Sequence, residues 1–309
     1  MISAFSFIFL FHNNLFVMTY VLRRFDPWGS PLCTCPPKYS LSPYTGCGHA
    51  CRYCYITSYI RDGFNPRVKE KFLLHLRRDL VKADLSLPIS IANSSDPYTP
   101  PEGVSKVTRE ALRMLLSFDA GAIIITKSNL VVRDLDILCR GRFTVSFTIT
   151  TLDDSLARVL EPYAPPPSMR VEALRVLCKA GVPCSVRIDP IIPGVNDGFD
   201  SIKRIVSLVA ELGVKHIVSS TYKAKPDNFN RILEAFPGKA DLFKRLYLEG
   251  GVKIGGVRYM GEKLRYSYMK MVRGLADDYG LTFSTCREGF RDLQSSETCD
   301  GTHLIPKRG

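Results

Sequence analysis

The sequence lacks any uninterrupted run of about 20 apolar residues, the length a membrane-spanning helix needs. Its most apolar stretch, residues 2–11, is broken by His12, Asn13 and Asn14. No basic segment precedes that stretch and no small-residue cleavage site follows it cleanly, so a secretory signal is not expected. Residues 1–17 are expected to be a mis-assigned extension or a loose tail, with Met18 as an ordinary start. An acidic excess is also missing: 42 Lys and Arg stand against 30 Asp and Glu, a formal charge of +12. The basic surplus sits at the ends, with 11 against 4 in residues 1–83, 15 against 15 in residues 84–222 and 16 against 11 beyond. That asymmetry fits a polyanionic partner, and equally a soluble basic protein. Disulfide-scaffold spacing is absent as well, although there are 10 cysteines. Their clustered spacings read as metal ligands in a cytoplasmic protein with no membrane association.

What is present centres on Pro43 to Tyr55, Pro-Tyr-Thr-Gly-Cys-Gly-His-Ala-Cys-Arg-Tyr-Cys-Tyr. Cys47, Cys51 and Cys54 stand at spacing C-x3-C-x2-C, close enough for one short loop to aim three sulfurs at a common centre. Gly46 and Gly48 let such a loop bend. Thiolates suit a soft metal, and an iron–sulfur cluster normally takes four of them. A cubane held by three therefore leaves one iron open. A closed zinc site needs a fourth ligand, and His49 lies inside the loop where its geometry is poor.

C-x3-C-x2-C with an aromatic before the last cysteine resembles the signature of radical S-adenosylmethionine (SAM) enzymes. The flanks, Pro-Tyr-x-Gly-Cys-x-His-x-Cys-x-Tyr-Cys-Tyr, resemble the spore photoproduct lyase-like branch, the DNA repair photolyases. The resemblance implies a [4Fe–4S] cluster on Cys47, Cys51 and Cys54, with SAM chelating the open iron. It covers about Asp26 to Lys225, with its motifs in the expected order.

Along the chain, apolar runs of strand length alternate with helical periodicity. Strands are expected at 38–44, 87–93, 120–126, 143–151, 183–191 and 214–220. Helices are expected at 67–83, 105–118, 131–139, 154–160, 168–180 and 200–212. Alternation of this kind predicts parallel strands with helical crossovers. Six units fit an α/β fold, a partial (β/α)6 TIM-like barrel, which the resemblance to radical SAM enzymes also implies. The expected organisation is an N-terminal tail over 1–25, the barrel over 26–225, and a mainly helical C-terminal extension with a cysteine-containing tail over 226–309.

In barrels, chemistry gathers at the C-terminal ends of the strands. After the second strand comes Asn93-Ser94-Ser95-Asp96-Pro97-Tyr98-Thr99-Pro100-Pro101-Glu102. Ser95 and Asp96 there offer groups that accept from the SAM ammonium and order the loop. The stretch resembles the lyase-like family's Ser/Thr-Asp-x-Tyr-x-Pro-x-Glu pattern. Lys127 follows the third strand, where the resemblance implies pairing with the SAM carboxylate. Period two puts Ser146, Thr148 and Thr150 on one face of the fourth strand. If that face is the lumen, Ser146 and Thr148 offer hydroxyls to SAM, whereas a structural hydroxyl ladder is the alternative. Arg187, on the fifth strand, is placed to orient the SAM carboxylate or a substrate phosphate. Tyr53 is implied to pack on the adenine. Spore photoproduct lyases carry a hydrogen-donating cysteine in the loop after the second strand, and Asn93-Ser94-Ser95-Asp96 has no thiol there.

A second set of cysteines flanks the barrel, with Cys33 and Cys35 before it and Cys286 and Cys299 near the far end. If the termini meet, these four bind an auxiliary iron–sulfur cluster or a zinc ion, with His303 as a spare ligand. Scattered thiols are the alternative. Cys139, Cys178 and Cys184 read as buried small hydrophobes. In a helix from about Glu262, Leu264, Tyr268, Met271 and Leu275 share one face, and Lys263, Tyr266, Lys270 and Arg273 the other. The basic face either tracks phosphates or is simply solvated.

The expected function is reductive cleavage of SAM to give a 5′-deoxyadenosyl radical acting on DNA or RNA. An electron donor such as a ferredoxin or flavodoxin is implied. The alternatives are a radical SAM enzyme of a small metabolite or peptide, and a non-catalytic iron–sulfur protein that binds nucleic acid.

Overall fold

The computed structural model describes residues 21–25, 30–91 and 94–308. The apolar stretch 2–11, the start at Met18, and Asp26 and Asn93 lie outside the described residues. Among these, the main sheet has eight strands. They are β1 (Arg23–Arg24), β2 (Tyr39–Leu41), β3 (Ile89–Ile91), β4 (Ala122–Thr126), β5 (Phe143–Thr148), β6 (Cys184–Ile191), β7 (His216–Thr221) and β8 (Thr282–Thr285). They lie side by side in chain order. β1 is antiparallel to β2, and every pair from β2 to β8 is parallel. β1 and β8 form the two edges, so the sheet curves as an open barrel with no closing pair among the described residues.

The central strands are buried on both faces, which is why they read as near-continuous apolar runs. β4 is Ala-Ile-Ile-Ile-Thr, and its Ile124 lies opposite Val145 of β5. Helices cover the outer face. In Phe199–Glu211, Ile202, Ile205, Val206 and Val209 are buried at i, i+3, i+4 and i+7, the spacing that lays one stripe on a sheet. Asp153 caps helix Asp154–Leu160, accepting from the amides of Ser155 at 2.8 Å and Leu156 at 3.1 Å. Helix Pro167–Lys179 opens on a proline, whose missing N–H costs nothing there.

Two expectations are corrected. The boundary at 225 does not stand, because Thr282–Thr285 pairs in parallel with β7 and makes a seventh parallel strand. A second apolar cluster also joins Cys51, Tyr53 and Leu160 to Tyr222, Phe229, Phe243, Tyr247 and Met260. Residues beyond 225 therefore pack under the cysteine loop and belong to the same core. The expected helix at 131–139 is instead a 3-10 segment, Asn129–Asp134, running into a short helix, Leu135–Leu138.

The helix after Met260 spans Glu262–Asp278, but its buried face is Arg265, Met269, Val272, Leu275 and Ala276. The expected basic face is reduced. Tyr266 donates to Asp292 at 2.7 Å and stacks edge-on against Phe290, while Arg273 donates to Asp277 and to the Leu293 carbonyl. These two residues dock the segment 290–293, leaving Lys263 and Lys270 exposed. No helix among the described residues is long and apolar enough to cross a membrane.

Candidate active site

Every parallel strand sends residues from its C-terminal end into one cavity of about 290 Å³. Cys47, Cys51 and Cys54 follow β2; Ser95 and Asp96 follow β3; Thr126 and Lys127 end β4. Thr148 ends β5, Arg187 and Asp189 lie on β6, Ser220 to Lys223 end β7, and Cys286 and Arg287 follow β8. The sheet thus gathers groups far apart in sequence around the cysteine loop.

The loop owes its shape to Gly46, at φ +83°, where a Cβ would stand 2.7 Å from the Asn65 carbonyl oxygen. The Cys47 amide donates to the Gly63 carbonyl at 2.8 Å, and the Gly48 amide to Thr99 Oγ1 at 2.8 Å. Gly46→Ala is therefore expected to cost about 1–3 kcal/mol from the left-handed backbone alone and to lower iron retention. Thermal unfolding and iron content measure the two effects, and wild-type values for both would contradict the loop geometry.

Helix Pro226–Ala235 clamps the far side of the loop. Asn228 donates to the Tyr53 carbonyl at 2.8 Å, and Arg231 donates to the carbonyls of Arg52 at 3.2 Å and Cys54 at 2.5 Å. Arg231 also lies over the Phe64 ring and pairs with Asp227. Sequence reading missed this clamp. Its only local signal is Pro226 at a helix start, and what it grips lies about 175 residues away.

The three motif cysteines sit deep in the wall. Burial pushes the Cys47 and Cys51 thiols up to about 12 and Cys54 up to about 11. Thiolates here are costly unless a cation compensates them, and soft sulfur donors select thiophilic metals. Among the described residues no three Cys, His, Asp or Glu side chains close on one point as a single metal ion requires. His49 is buried against Asp96, its Nδ1 3.4 Å from the carboxylate. Burial pulls its pKa down despite Asp96, so it acts as a neutral prop for the loop after β3. The three sulfurs and the open polar wall fit a three-cysteine cluster.

Most of the expected cofactor-binding residues meet at this cavity, with different freedoms. Asp96 accepts from Thr126 Oγ1 and the amides of Lys127 and Tyr98 at 2.7–2.9 Å, so its carboxylate orders the loop. Ser95 Oγ donates to the Tyr44 carbonyl at 3.0 Å. The Lys127 ammonium lies 5.6 Å from the Tyr53 ring centroid. Burial alone would lower its pKa, but Cys51 and Glu161 hold it up. Tyr53 turns its hydroxyl away from the cavity and donates to Glu161, which pairs with the fully buried Arg170. Its ring still forms wall. Thr148 lines the cavity, whereas Ser146 lies deeper with its hydroxyl unpartnered. Arg187 donates to Asp189 at 2.7 Å and also meets Cys286. A buried group that sequence reading did not single out lies behind the cavity wall and holds Thr221 and Lys223. Glu288 binds Arg265 at 2.7 Å and Lys223 at 3.3 Å, and accepts from the Thr221 amide at 2.8 Å. The rim is aromatic. Tyr55 and Tyr59 have ring centroids 6.4 Å apart, Tyr59 is 42% exposed, and the Lys225 ammonium lies 5.9 Å from its centroid.

Comparison with known proteins agrees with this geometry. A family model described as the Radical SAM superfamily matches residues 41–209. An uncharacterized protein of Methanocaldococcus jannaschii is 33% identical over 168 residues, 52% of this chain and 62% of that one. A radical SAM Nα-GlyT isomerase of Pseudomonas phage M6 is 23% identical over 257 residues, 80% of this chain and 53% of the isomerase. The chain thus spans less than two thirds of both relatives. Among solved structures, a mutant spore photoproduct lyase with bound AdoMet and dinucleoside spore photoproduct superposes with a TM-score of 0.64. It is 17% identical, over 84% of this chain and 79% of that one, a likeness of fold.

Proposed function

The chain belongs to the radical SAM superfamily, and from that premise we propose an enzyme that cleaves SAM reductively and acts on a nucleic acid held at the cavity mouth. Membership implies a [4Fe–4S] cluster and SAM. When bound, these supply a 5′-deoxyadenosyl radical able to take a hydrogen atom from a substrate, given an electron from a donor such as a ferredoxin or flavodoxin.

The protein's own part is to hold and orient. Cys47, Cys51 and Cys54 would hold three irons. Lys127 and Arg187 present positive charge to a carboxylate, and Thr148 presents a hydroxyl at the end of β5, with Ser146 deeper on the same strand. The Tyr53 ring provides a flat wall, and Asp96 fixes the loop beside it.

The observation that carries the substrate reading is the rim. Tyr59 is half-exposed beside Tyr55 and Lys225 on the cavity that holds the motif cysteines. Exposed aromatics beside basic groups stack bases and meet phosphates. The dinucleoside photoproduct named with the lyase structure, and the net charge of +12, support the same class. Whether the substrate is DNA or RNA is read by offering both.

The test combines turnover with binding. After anaerobic reconstitution and reduction, SAM should yield 5′-deoxyadenosine, and oligonucleotide binding should weaken as salt rises. Tyr59→Ala should weaken binding by roughly 5–150-fold, the worth of one stacked base, with little change in uncoupled SAM cleavage. Binding indifferent to both salt and Tyr59 would point instead to a small metabolite or a peptide. Binding without SAM turnover would leave a non-catalytic cluster protein.

A further inference from the structure

Cys33 and Cys35 leave the entry segment before β2, Cys286 follows β8, and Cys299 lies 13 residues further on. The fold brings all four together. Cys299 Sγ lies 3.4 Å from Cys35 Sγ, although the two are 264 residues apart in the chain. The Cys33 and Cys35 thiols share a hydrogen bond, and Cys286 is close enough to couple electrostatically with Cys33, Cys35 and Cys299. The Cys286 amide donates to the Ser219 carbonyl at 2.9 Å, which fixes that residue at the end of β7. Cys299 is buried at 3% exposure. Cys33, Cys35 and Cys286 also line the cavity that holds the motif cysteines.

We propose that Cys33, Cys35, Cys286 and Cys299 form a second metal site, a four-thiolate centre for a thiophilic metal. Four soft thiolates from two ends of a chain select thiophilic centres, zinc or an iron–sulfur cluster first among them. A zinc ion at about 2.3 Å from each of four tetrahedral sulfurs sets them roughly 3.8 Å apart, near the Cys35–Cys299 separation, whereas a cubane takes a wider set. Like the motif cysteines, the four are gathered without enclosing one point among the described residues. All four are free thiols, and 3.4 Å is far outside the roughly 2.05 Å of a disulfide. His303 is not part of the set. Its Nδ1 meets Thr298 Oγ1 at 2.8 Å and its ring packs edge-on against His216.

The site is tested without the first cluster. The full chain carrying Cys47→Ala, Cys51→Ala and Cys54→Ala is isolated anaerobically from cells supplied with iron and zinc, then assayed for both metals and for acid-labile sulfide. The expected result is about one zinc, or about four irons with matching sulfide, per chain. Either amount should be lost on adding Cys35→Ser and Cys299→Ser. To guard against misfolding in that variant, the triple-alanine protein is labelled with a maleimide before and after metal removal, and Cys33, Cys35, Cys286 and Cys299 are resolved from Cys139, Cys178 and Cys184 by peptide mapping. The first four should be protected before and reactive after. A metal-free triple-alanine protein, metal indifferent to Cys35 and Cys299, thiols that label equally before and after, or a mass 2 Da low from a Cys35–Cys299 disulfide would each overturn the proposal. Because the triple-alanine protein cannot build the motif cluster, these outcomes are independent of the radical SAM reading.

Discussion

Cys51→Ala, Cys54→Ala and Cys47→Ala should each reduce 5′-deoxyadenosine release to background, whereas Cys139→Ala, at a thiol that is exposed and not buried as its apolar surroundings suggested, should leave it unchanged. Loss of an outer-shell partner typically costs about 10–100-fold in metal affinity or activity, and loss of one of three direct ligands should exceed that. The geometry explains why no neighbour substitutes. His49 is held by Asp96, and the remaining cavity thiols belong to the entry segment and the region after β8 rather than to the loop. Release is measured by chromatography after reduction with SAM present, alongside iron content. A Cys51→Ala protein that keeps its iron and its product would show that these sulfurs are not the ligands.

Glu161→Ala is expected to produce a large loss of stability. Glu161 and Arg170 are fully buried, with charged atoms 2.5 Å apart. Arg170 also donates to the carbonyls of Pro165 at 2.7 Å and Thr148 at 3.1 Å, and Tyr53 donates to Glu161. Removing the carboxylate strands a buried guanidinium, a loss of about 3–5 kcal/mol. Thermal or denaturant unfolding reads it, and a loss under about 1 kcal/mol would mean that water or another anion reaches Arg170. Acid should mimic the substitution. Burial would raise the Glu161 pKa, but Arg170 and Lys127 hold it below the usual glutamate value. The folded pKa is thus below the unfolded one, so the contribution is present at neutral pH and is lost as pH falls through the folded value. The Glu161→Ala protein should therefore lose less stability on acidification than the parent.

The sheet was legible wherever burial on both faces forced apolar runs. β4 and β7 needed no long-range information, and the ends of the first five expected strands led to stretches with residues that line the cavity. β8 was not legible, because Thr282-Phe283-Ser284-Thr285 has one apolar residue among hydroxyls and gains its place only by pairing with β7. The hairpin of Val252–Ile254 and Val257–Tyr259 was overlooked although Gly255 and Gly256, both at positive φ, mark its turn. Nothing local in the sequence shows that Arg265 and Arg170 each meet a carboxylate in the core. The same limit applied to Arg231, whose acceptors are carbonyls and leave no trace in side-chain pattern. At the site, residue type and spacing marked the three cysteines and Lys127. They did not show that Asp96 is spent on its own loop or that Tyr53 points its hydroxyl inward.

The seventh parallel strand has a consequence for how the protein is made. Thr282–Thr285 leaves the ribosome well after β7, yet it covers the β7 edge and is followed at once by Cys286 and the cavity-lining Arg287. Until then the nascent chain presents an unpaired ladder from His216 to Thr221, which is open to association with other chains. Cofactor loading that needs the whole cradle therefore waits until Arg287 has been made, and truncation before residue 282 should yield aggregates rather than a smaller working enzyme.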